Sequence, residues 1–352
     1  MINIREEFKK AHPDIAEKLQ SNEYSFLYEN EHLGDNICLL GLGGSYSYGM
    51  NIEGSDIDIR GVATLRKEEI LGTQNFEQFE NAETDTVIYG IKKFFSLLSA
   101  CNPNIVELVG LRGCDYIYIS PIGQMILDNK DLFLSKRAAA SFGGYANAQL
   151  KRIRMATMRD LLPNLEKQEY MMTSMENSIF NLMSKHDLFK YGEFNLKVDT
   201  ATEDILVETN FKDLPVGQYI DMMNTLKTVK QDYDKYVGHR NQKATEKKLN
   251  KHQAHLIRLY NMGIEILEKS EVNTYREEDH QLLMDIRNGK FMNDDGLVSA
   301  EFYSIVDTLE TKLNKLKETS KLSKNPDYKK IEELLISINN LSLLTSYGIG
   351  ND

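Results

Sequence analysis

Strand-forming signals are confined to the first third of the chain, and this constrains the fold more than any other feature. Short apolar or alternating runs bounded by turn residues occur four times, over 36–42, 55–62, 85–89 and 116–119. After Pro121 the apolar residues instead recur at helical spacing. These helical segments span 137–160, 165–190, 216–236, 242–268, 277–288, 299–320 and 327–342. The less periodic segment 185–215 fits a loop or a small hairpin.

The sequence therefore predicts an α+β protein of two domains. A small mixed β-sheet domain with helices is expected over residues 1–120, and a mostly helical domain over 121–352. Residues 1–20 predict an amphipathic helix ahead of the sheet. Its candidate inward positions are Ile4, Phe8, Ile15 and Leu19.

Composition excludes several classes of protein. No apolar run approaches the roughly 20 residues that span a bilayer, and the charged N-terminus lacks the apolar stretch of a signal peptide. Three scattered cysteines form neither a CxxC pair nor a disulfide framework, so a reducing, cytoplasmic location without membrane partners is expected. The net charge of -11 argues against wholesale coating of nucleic acid but allows a local basic patch.

The motif richest in chemistry is Gly43-Gly44-Ser45, followed after ten residues by Asp56-Ile57-Asp58-Ile59. On a strand, Asp56 and Asp58 would leave the same face and repel each other unless a cation lay between them. A pair of Mg²⁺ ions about 3.5–4 Å apart is the usual partner of such carboxylates and also bridges phosphates. This part of the motif predicts a divalent-metal site.

The glycine turn lies between a buried strand and a predicted helix over 46–50. Glycine lets a phosphate approach the backbone closely, and the helix N-terminus with the Ser45 hydroxyl can donate hydrogen bonds to its oxygens. The turn is no dinucleotide fingerprint, because GxGxxG would need glycine where Tyr46 stands, and no GK[ST] of a P-loop occurs. Metal-binding carboxylates beside a phosphate cradle indicate nucleotidyl transfer from a nucleoside triphosphate.

At these residues the chain resembles the DNA polymerase beta-like nucleotidyltransferase superfamily. More specifically, it resembles a branch of predicted nucleotidyltransferases that is associated with RNA-repair pathways and found alongside RNA ligases. The motifs that carry this resemblance are Gly44-Ser45 with Tyr48-Gly49, Ser55-Asp56-Ile57-Asp58 with Arg60-Gly61, Asn102-Pro103-Asn104 with Glu107, Tyr145 with Gln149, Lys251 with His255 and Arg258, and Ile286-Arg287-Asn288-Gly289. The resemblance implies that Gly44, Ser45, Tyr48 and Ser55 belong to the nucleotide site.

The superfamily uses a third carboxylate as metal ligand and as general base for the acceptor hydroxyl. Asp85, which opens the third predicted strand, is the residue expected to supply it together with Asp56 and Asp58. Glu107 and Glu83 are the alternatives, and a site with only two carboxylates stays open.

The helical region supplies the remaining candidates. Lys247, Lys251 and Arg258 recur at helical spacing with His255 between them, so this stripe either faces the triphosphate or an acceptor phosphate or is a solvated helix face. Tyr145, Gln149 and Arg152 form a second stripe that contacts the nucleotide base or ribose, or packs against the first domain. Asp279 and Arg287 are expected to stabilise a helix pair.

The expected function is Mg²⁺- or Mn²⁺-dependent transfer of a nucleotide from an NTP to an acceptor hydroxyl, with release of pyrophosphate. Family association implies an RNA acceptor, tRNA ends included, and an RNA ligase or toxin-type protein as partner. The segment 235–258 is the expected RNA contact, because it holds seven Lys/Arg against one acid. The alternatives are an enzyme that AMPylates a protein hydroxyl and a module that senses nucleotide without turnover.

Overall fold

The structure is a computed structural model that describes residues 3–161, 176–177, 179–180, 183–184, 187–198, 205–224, 227 and 246–346. The chain divides into two compact units, Met1–Lys151 with Asn250–Asp352, and Arg152–Leu249. The division at residue 120 stays a prediction. Within the described ranges, no helix has the length and apolar character to cross a membrane.

The first unit is built on one mixed sheet, as the sequence predicts, but the sheet has five strands and the sequence indicated four. The strand that was not predicted is Gln78–Asn81. The strands of the sheet are β1 (Ile37–Leu42), β2 (Ile59–Ala63), β3 (Gln78–Asn81), β4 (Thr86–Gly90) and β5 (Tyr116–Ile119). They lie in the order β3-β4-β2-β1-β5. The only parallel pair in this sheet is β2 with β4, and the other neighbours are antiparallel. A mixed sheet of this order brings the starts of β2 and β4 to the same edge as the end of β1.

The strand predicted over 55–62 is shorter than expected. It begins at Ile59, so Asp56 and Asp58 precede β2 instead of lying on one face of it. Residues 56–58 lie between a turn over 52–55 and the strand. In that turn the Ser55 hydroxyl accepts a hydrogen bond from the Ile52 N–H at 2.9 Å, and the Ser55 N–H donates to the Ile52 carbonyl at 3.0 Å. Side-chain bonding of this kind closes a turn at the expense of a strand.

Helices surround the sheet and form most of the later chain, which confirms the predicted mostly helical region. The helices before residue 130 are α1 (Glu6–Ala11), α2 (Pro13–Lys18), α3 (Phe26–Glu29), α4 (Gly44–Ser47), α5 (Lys67–Ile70), α6 (Ile91–Ser99), α7 (Pro103–Val109) and α8 (Pro121–Asp128). The longer ones that follow are α9 (Arg137–Leu161), α10 (Glu246–Lys269), α11 (His280–Arg287), α12 (Ala300–Thr319) and α13 (Tyr328–Ser346). The helices predicted over 165–190 and 216–236 lie partly outside the described residues.

The N-terminal helix predicted over 1–20 is two short helices, α1 and α2. The break falls at His12, because Pro13 cannot continue a helix but fits its first position. The four predicted inward residues are nevertheless all buried: Ile4, Phe8, Ile15 and Leu19.

The second unit, Arg152–Leu249, contains the small hairpin that 185–215 allows. Strands β6 (Phe194–Val198) and β7 (Ile205–Thr209) pair antiparallel. A separate apolar cluster lies in this unit and consists of Ile179, Met183, Leu188 and Met222.

A buried carboxylate joins α1 and α2 to β5. The Asp115 side chain has no exposed surface, and it accepts hydrogen bonds from His12 Nε2 at 2.9 Å and from Arg112 Nε at 2.8 Å. Burial alone would raise the pKa of Asp115, but the bonds from His12 and Arg112 outweigh it and hold the pKa below its ordinary value.

We expect Asp115→Ala to lower the free energy of unfolding by about 3–5 kcal/mol, the range for breaking a buried ion pair. The exposed Asp14→Ala is the control and should change it by less than about 0.5 kcal/mol. Because the folded pKa is depressed, the stabilisation by Asp115 is fully present above its unfolded pKa of about 3.9 and is lost as the pH falls through the folded value. Urea unfolding between pH 3 and 7 measures the free energy of unfolding and its pH dependence. Equal destabilisation by Asp115→Ala and Asp14→Ala would contradict the structural role of Asp115.

Candidate active site

The turn after β1 and the segment before β2 meet at one edge of the sheet. The Gly43 N–H donates to the Asp58 carbonyl at 2.7 Å, which extends the β1–β2 pairing by one bond. Gly44 has a φ of +61°, and a Cβ on it would lie 1.7 Å from Asp58 Oδ2. The Asp58 carboxylate therefore rests directly on the Gly44 backbone, and both the conformation and this contact require glycine.

The parallel pairing of β2 with β4 brings Asp85 to the same place. Ile59 is in register with Thr86, so the residues just before them, Asp58 and Asp85, are neighbours. The Ile59 N–H donates to the Asp85 carbonyl at 3.1 Å, and Asp85 itself has a φ of 44°. A positive φ in a residue other than glycine is uncommon and favours Asp or Asn, so the backbone is bent to present this carboxylate.

Arg60 holds the two carboxylates in place. Its Nη2 lies 3.0 Å from Asp85 Oδ1 and 3.4 Å from Asp58 Oδ1, and its Nη1 donates to the Asp85 carbonyl at 2.5 Å. The Asp58 side chain is 19% exposed and that of Asp85 54%, so the pair lies at the boundary between the core and solvent.

The pair is electrostatically unequal. Burial and the adjacent Asp85 carboxylate raise the pKa of Asp58 to about 7, against the weaker effects of Arg60 and Lys251. Burial also acts to raise the pKa of Asp85, but the hydrogen bond with Asp58 and the charges of Arg60 and Lys251 outweigh it and lower that pKa. Two adjacent carboxyls that share a proton are typical of a site whose ionised form needs a cation.

A cavity of ≈ 290 Å³ opens beside Asp58. Nine of the residues predicted for the site line it: Gly44, Ser45, Tyr48, Ser55, Asp56, Asp58, Lys251, His255 and Arg258. The cavity thus brings together the glycine turn, the Asp56–Asp58 segment and one face of α10, which are far apart in the sequence.

Two predicted residues do not line this cavity. Asp85 lies outside its lining, and Arg60 Nη2 lies close to both Asp85 and Asp58. Gln149 is buried between α9 and α10, where its Oε1 lies 3.0 Å from His252 Nδ1. This contact favours a packing role for Gln149 over contact with the nucleotide.

Arg258 departs from the predicted basic stripe. It is only 1% exposed, its Nη1 is ion-paired with Glu107 Oε1, and its guanidinium stacks 3.6 Å from the centre of the Tyr48 ring. The stripe over Lys247, Lys251 and Arg258 is therefore not a uniformly solvated face, because Arg258 is turned into the core. Residues 235–245 of the predicted RNA contact lie outside the described residues.

Glu107, the alternative third carboxylate, is already engaged. Its Oε2 accepts a hydrogen bond from the Tyr48 hydroxyl at 2.5 Å, and its backbone carbonyl accepts one from the Thr274 hydroxyl at 2.6 Å. Together with the Arg258 ion pair, these bonds join α4, α7, α10 and the segment before α11. This arrangement fits a structural role for Glu107 and leaves Asp85 as the carboxylate beside Asp58.

The sequence reasoning missed Arg287. It was expected to stabilise a helix pair with Asp279, but Asp279 is ion-paired with Arg276, and Arg287 lines the cavity. The sequence did contain an indication, because Arg287 belongs to the Ile286–Gly289 motif of the family resemblance. The spacing of residues in the helix does not predict that the Arg287 side chain lines the same cavity as the glycine turn.

Within the described ranges, no group of three or more His, Cys, Asp or Glu side chains is arranged to hold a metal ion. Asp58 and Asp85 come together, and Asp56 shares only the cavity with Asp58. Paired carboxylate oxygens nevertheless fit a hard divalent cation, since Mg²⁺ is commonly held by one or two carboxylates together with substrate phosphates.

We expect Gly44→Ala to be more destabilising than Gly296→Ala. Both glycines have a positive φ, but a Cβ at Gly296 would meet nothing within 4 Å, whereas at Gly44 it would collide with Asp58. Both variants lose stability through backbone strain. The collision with Asp58 should lower the free energy of unfolding of Gly44→Ala by about 1–3 kcal/mol more. Urea unfolding measures the difference, and equal losses would show that the Asp58 carboxylate moves away freely.

Comparison with known proteins gives one match to a family model. Residues 11–172 match the model of the RNA repair pathway DNA polymerase beta family, RlaP. Searches of curated proteins and of solved structures gave no significant match. The family match indicates a DNA polymerase beta-like nucleotidyltransferase with an RNA-repair association, and over residues 11–172 it confirms the resemblance to this family that the sequence motifs predict.

Proposed function

We propose that the protein transfers a nucleoside monophosphate from an NTP to the hydroxyl of an RNA end, tRNA included, and releases pyrophosphate. The observation that carries this proposal is the Asp58–Asp85 carboxyl pair beside a cavity that also holds Ser45 and Lys251. Carboxylates next to a phosphate-sized space with hydroxyl and cationic donors are the groups that phosphoryl chemistry uses.

Asp58 and Asp85 are the residues that would hold Mg²⁺ or Mn²⁺, with Asp56 contributing from the same cavity. The bound metal would neutralise these carboxylates and the charge on the transferred phosphate. A site that also needs phosphate oxygens is consistent with the lack of a complete protein-only cluster in the described ranges.

Ser45 and the Gly44 backbone are proposed to bind the phosphates. Gly44 lacks a side chain at the point where the cavity meets Asp58, so a phosphate oxygen can approach the main chain there. Lys251 and His255 extend from α10 into the same cavity and would balance the remaining negative charge. Positioning of the triphosphate by these groups would leave its α-phosphorus accessible for in-line attack.

Asp85 is proposed to act on the acceptor. Its lowered pKa keeps it ionised at neutral pH, so its carboxylate can accept the proton of the attacking hydroxyl. The acceptor oxygen then forms a bond to the α-phosphorus, the bond from that phosphorus to the bridging oxygen breaks, and pyrophosphate leaves with the electron pair.

The choice of RNA as acceptor rests on the family's pathway and on charge. The chain carries -11 overall, yet the segment 235–258 has seven Lys/Arg and one acid. A local basic segment in an acidic protein attracts a polyanion to one place and repels it elsewhere. An RNA ligase or toxin-type protein is the corresponding candidate partner. Transfer to a protein hydroxyl and nucleotide sensing without turnover are the alternatives.

Incubation of the protein with each α-³²P-labelled NTP, Mg²⁺ or Mn²⁺ and total RNA tests the proposal. We expect label to enter RNA and to be released by ribonuclease but not by protease. If the label is found on protein instead, the acceptor is a protein hydroxyl and the enzyme AMPylates a protein. NTP binding with no labelled product from any NTP would favour the sensing module.

We expect Asp85→Asn to lower kcat by about 10²–10⁴-fold, the usual contribution of a general base, with little change in KM for the NTP. Glu83→Gln removes the exposed acid two residues away, which is the other alternative for the third carboxylate, and we expect it to keep the turnover of the wild type. Steady-state kinetics separate the two constants. If Asp85→Asn retains turnover and a stable Glu107→Gln loses it, the third carboxylate is Glu107.

We expect Asp58→Asn to abolish transfer while leaving the metal-free protein at least as stable as the wild type. Because the folded pKa of Asp58 is raised to about 7, its ionisation opposes folding as the pH rises from its unfolded pKa of about 3.9 toward that value. The stability of Asp58→Asn relative to the wild type should therefore increase between pH 4 and pH 8. Urea unfolding in EDTA measures this, and a pH-independent difference would contradict the shared-proton arrangement.

A further inference from the structure

Arg287 is a cation that has no partner among the described residues, inside the cavity that carries the candidate site. It lies at the end of α11, lines the cavity with Ser45, Asp58 and Lys251, and is half-buried. Within the part of the chain that the structure describes, its guanidinium makes no ion pair or side-chain hydrogen bond. A partly desolvated and unpaired cation is costly to maintain, and an anionic ligand would offset that cost.

Other arginines of this region differ in this respect. Arg60 contacts Asp58 and Asp85, Arg258 is ion-paired with Glu107, and Arg276 is ion-paired with Glu265 and Asp279. Burial is the one influence that shifts the pKa of Arg287, and it lowers that pKa. The protein thus satisfies these neighbouring guanidiniums with carboxylates and presents that of Arg287 to the cavity.

The position of Arg287 is fixed by packing. Its neighbour Ile286 is 1% exposed and Leu283 is fully buried, so α11 is anchored by its apolar face. At the other end of the helix, His280 Nε2 lies 2.8 Å from the Gly49 carbonyl, directly after α4. Arg287 is therefore held relative to the glycine turn by a rigid element.

The location points to one end of a triphosphate. Ser45 and Lys251 line the same cavity as Arg287, whereas Arg60 and Asp85 do not. Arg287 therefore lies with the groups proposed to bind the phosphates and apart from Asp85. Helix α4 spans a single turn, which gives it little dipole of its own, so side chains must supply the positive charge.

We infer that Arg287 binds the terminal phosphates of the nucleotide and makes the site select triphosphates over monophosphates. This inference rests on the proposed nucleotidyl transfer. A guanidinium presents planar, paired N–H donors that match two oxygens of a phosphate, whereas an ammonium offers only a point charge. Arg287 would hold the β- and γ-phosphates that depart as pyrophosphate, while the carboxylate pair acts at the α-phosphorus.

Calorimetric titration of inorganic tripolyphosphate, ATP and AMP, each with Mg²⁺, tests the inference. The variants are Arg287→Gln and Arg287→Lys, and the matched control is Lys290→Gln, an exposed cation three residues further on that is bonded to Asp285. We expect Arg287→Gln to weaken tripolyphosphate and ATP about 10- to 100-fold, as for loss of a charged hydrogen bond. Arg287→Lys should lie between it and the wild type, with AMP affinity and the Lys290→Gln variant unchanged.

Folding gives a second readout. Because Arg287 has no partner among the described residues, Arg287→Gln should leave Tm equal or higher, whereas a structural arginine would lower it. Tripolyphosphate binding by Arg287→Gln within twofold of the wild type would overturn the inference and leave the proposed function intact. Equal weakening of AMP would overturn the assignment to the terminal phosphates. A wild type that binds neither tripolyphosphate nor any NTP would overturn both proposals.

Discussion

The parallel pairing of β2 with β4 is the constraint on which the candidate site depends. It sets Ile59 opposite Thr86 and so places Asp58 beside Asp85. Antiparallel pairing would instead bring the start of one strand next to the end of the other and separate the two carboxylates. The pairing brings like charges together, and Arg60, the Gly44 contact and the positive φ of Asp85 are local adjustments that accommodate them.

A second, buried set of contacts holds the glycine turn in position. Helix α4 is a single turn, too short to be stable alone, so its place must be determined by tertiary contacts. Tyr48, at its end, donates to Glu107 and lies beneath the Arg258 guanidinium. A buried ion pair of this kind adds little net stability, but removing one partner leaves an uncompensated charge. Its value here is that it links α4 to α7 and α10 in one arrangement.

What the sequence reveals about the site depends on how local each feature is. The glycine turn and the Asp56–Asp58 motif are local, and both lie at the edge of the sheet where β1 ends and β2 begins. The predicted start of β2 at Ser55 was wrong. The alternating polar and apolar residues of 55–58 resemble a strand in sequence, but they precede β2, which begins at Ile59. Asp85 is predicted because it opens a strand, and its place beside Asp58 agrees with that prediction.

The surroundings of Arg258 and Arg287 could not be predicted from local sequence patterns. Spacing placed Arg258 on a basic stripe that faces either a phosphate or solvent, yet it is 1% exposed and bound to Glu107, 151 residues earlier in the chain. Arg287 and Asp279 are predicted to stabilise a helix pair, yet Asp279 is ion-paired with Arg276. Each outcome depends on which helix packs against which, and no property of the helix sequence itself encodes that choice.

The distribution of charge around the cavity connects these findings. Asp56 and Asp58 face the same space as Lys251 and Arg287, so carboxylates and cations share a cavity without neutralising one another completely. A folded protein selected only for stability would pair these groups, as Arg276 is paired with Glu265 and Asp279. Among the described residues Arg287 has no ion-pair partner, and Asp58 and Asp85 lie side by side. Both features lower the stability of the protein, a cost that functional sites commonly carry. A polyanion that arrives with divalent cations satisfies both sets of charges at once, which neither a simple anion nor a cation alone can do.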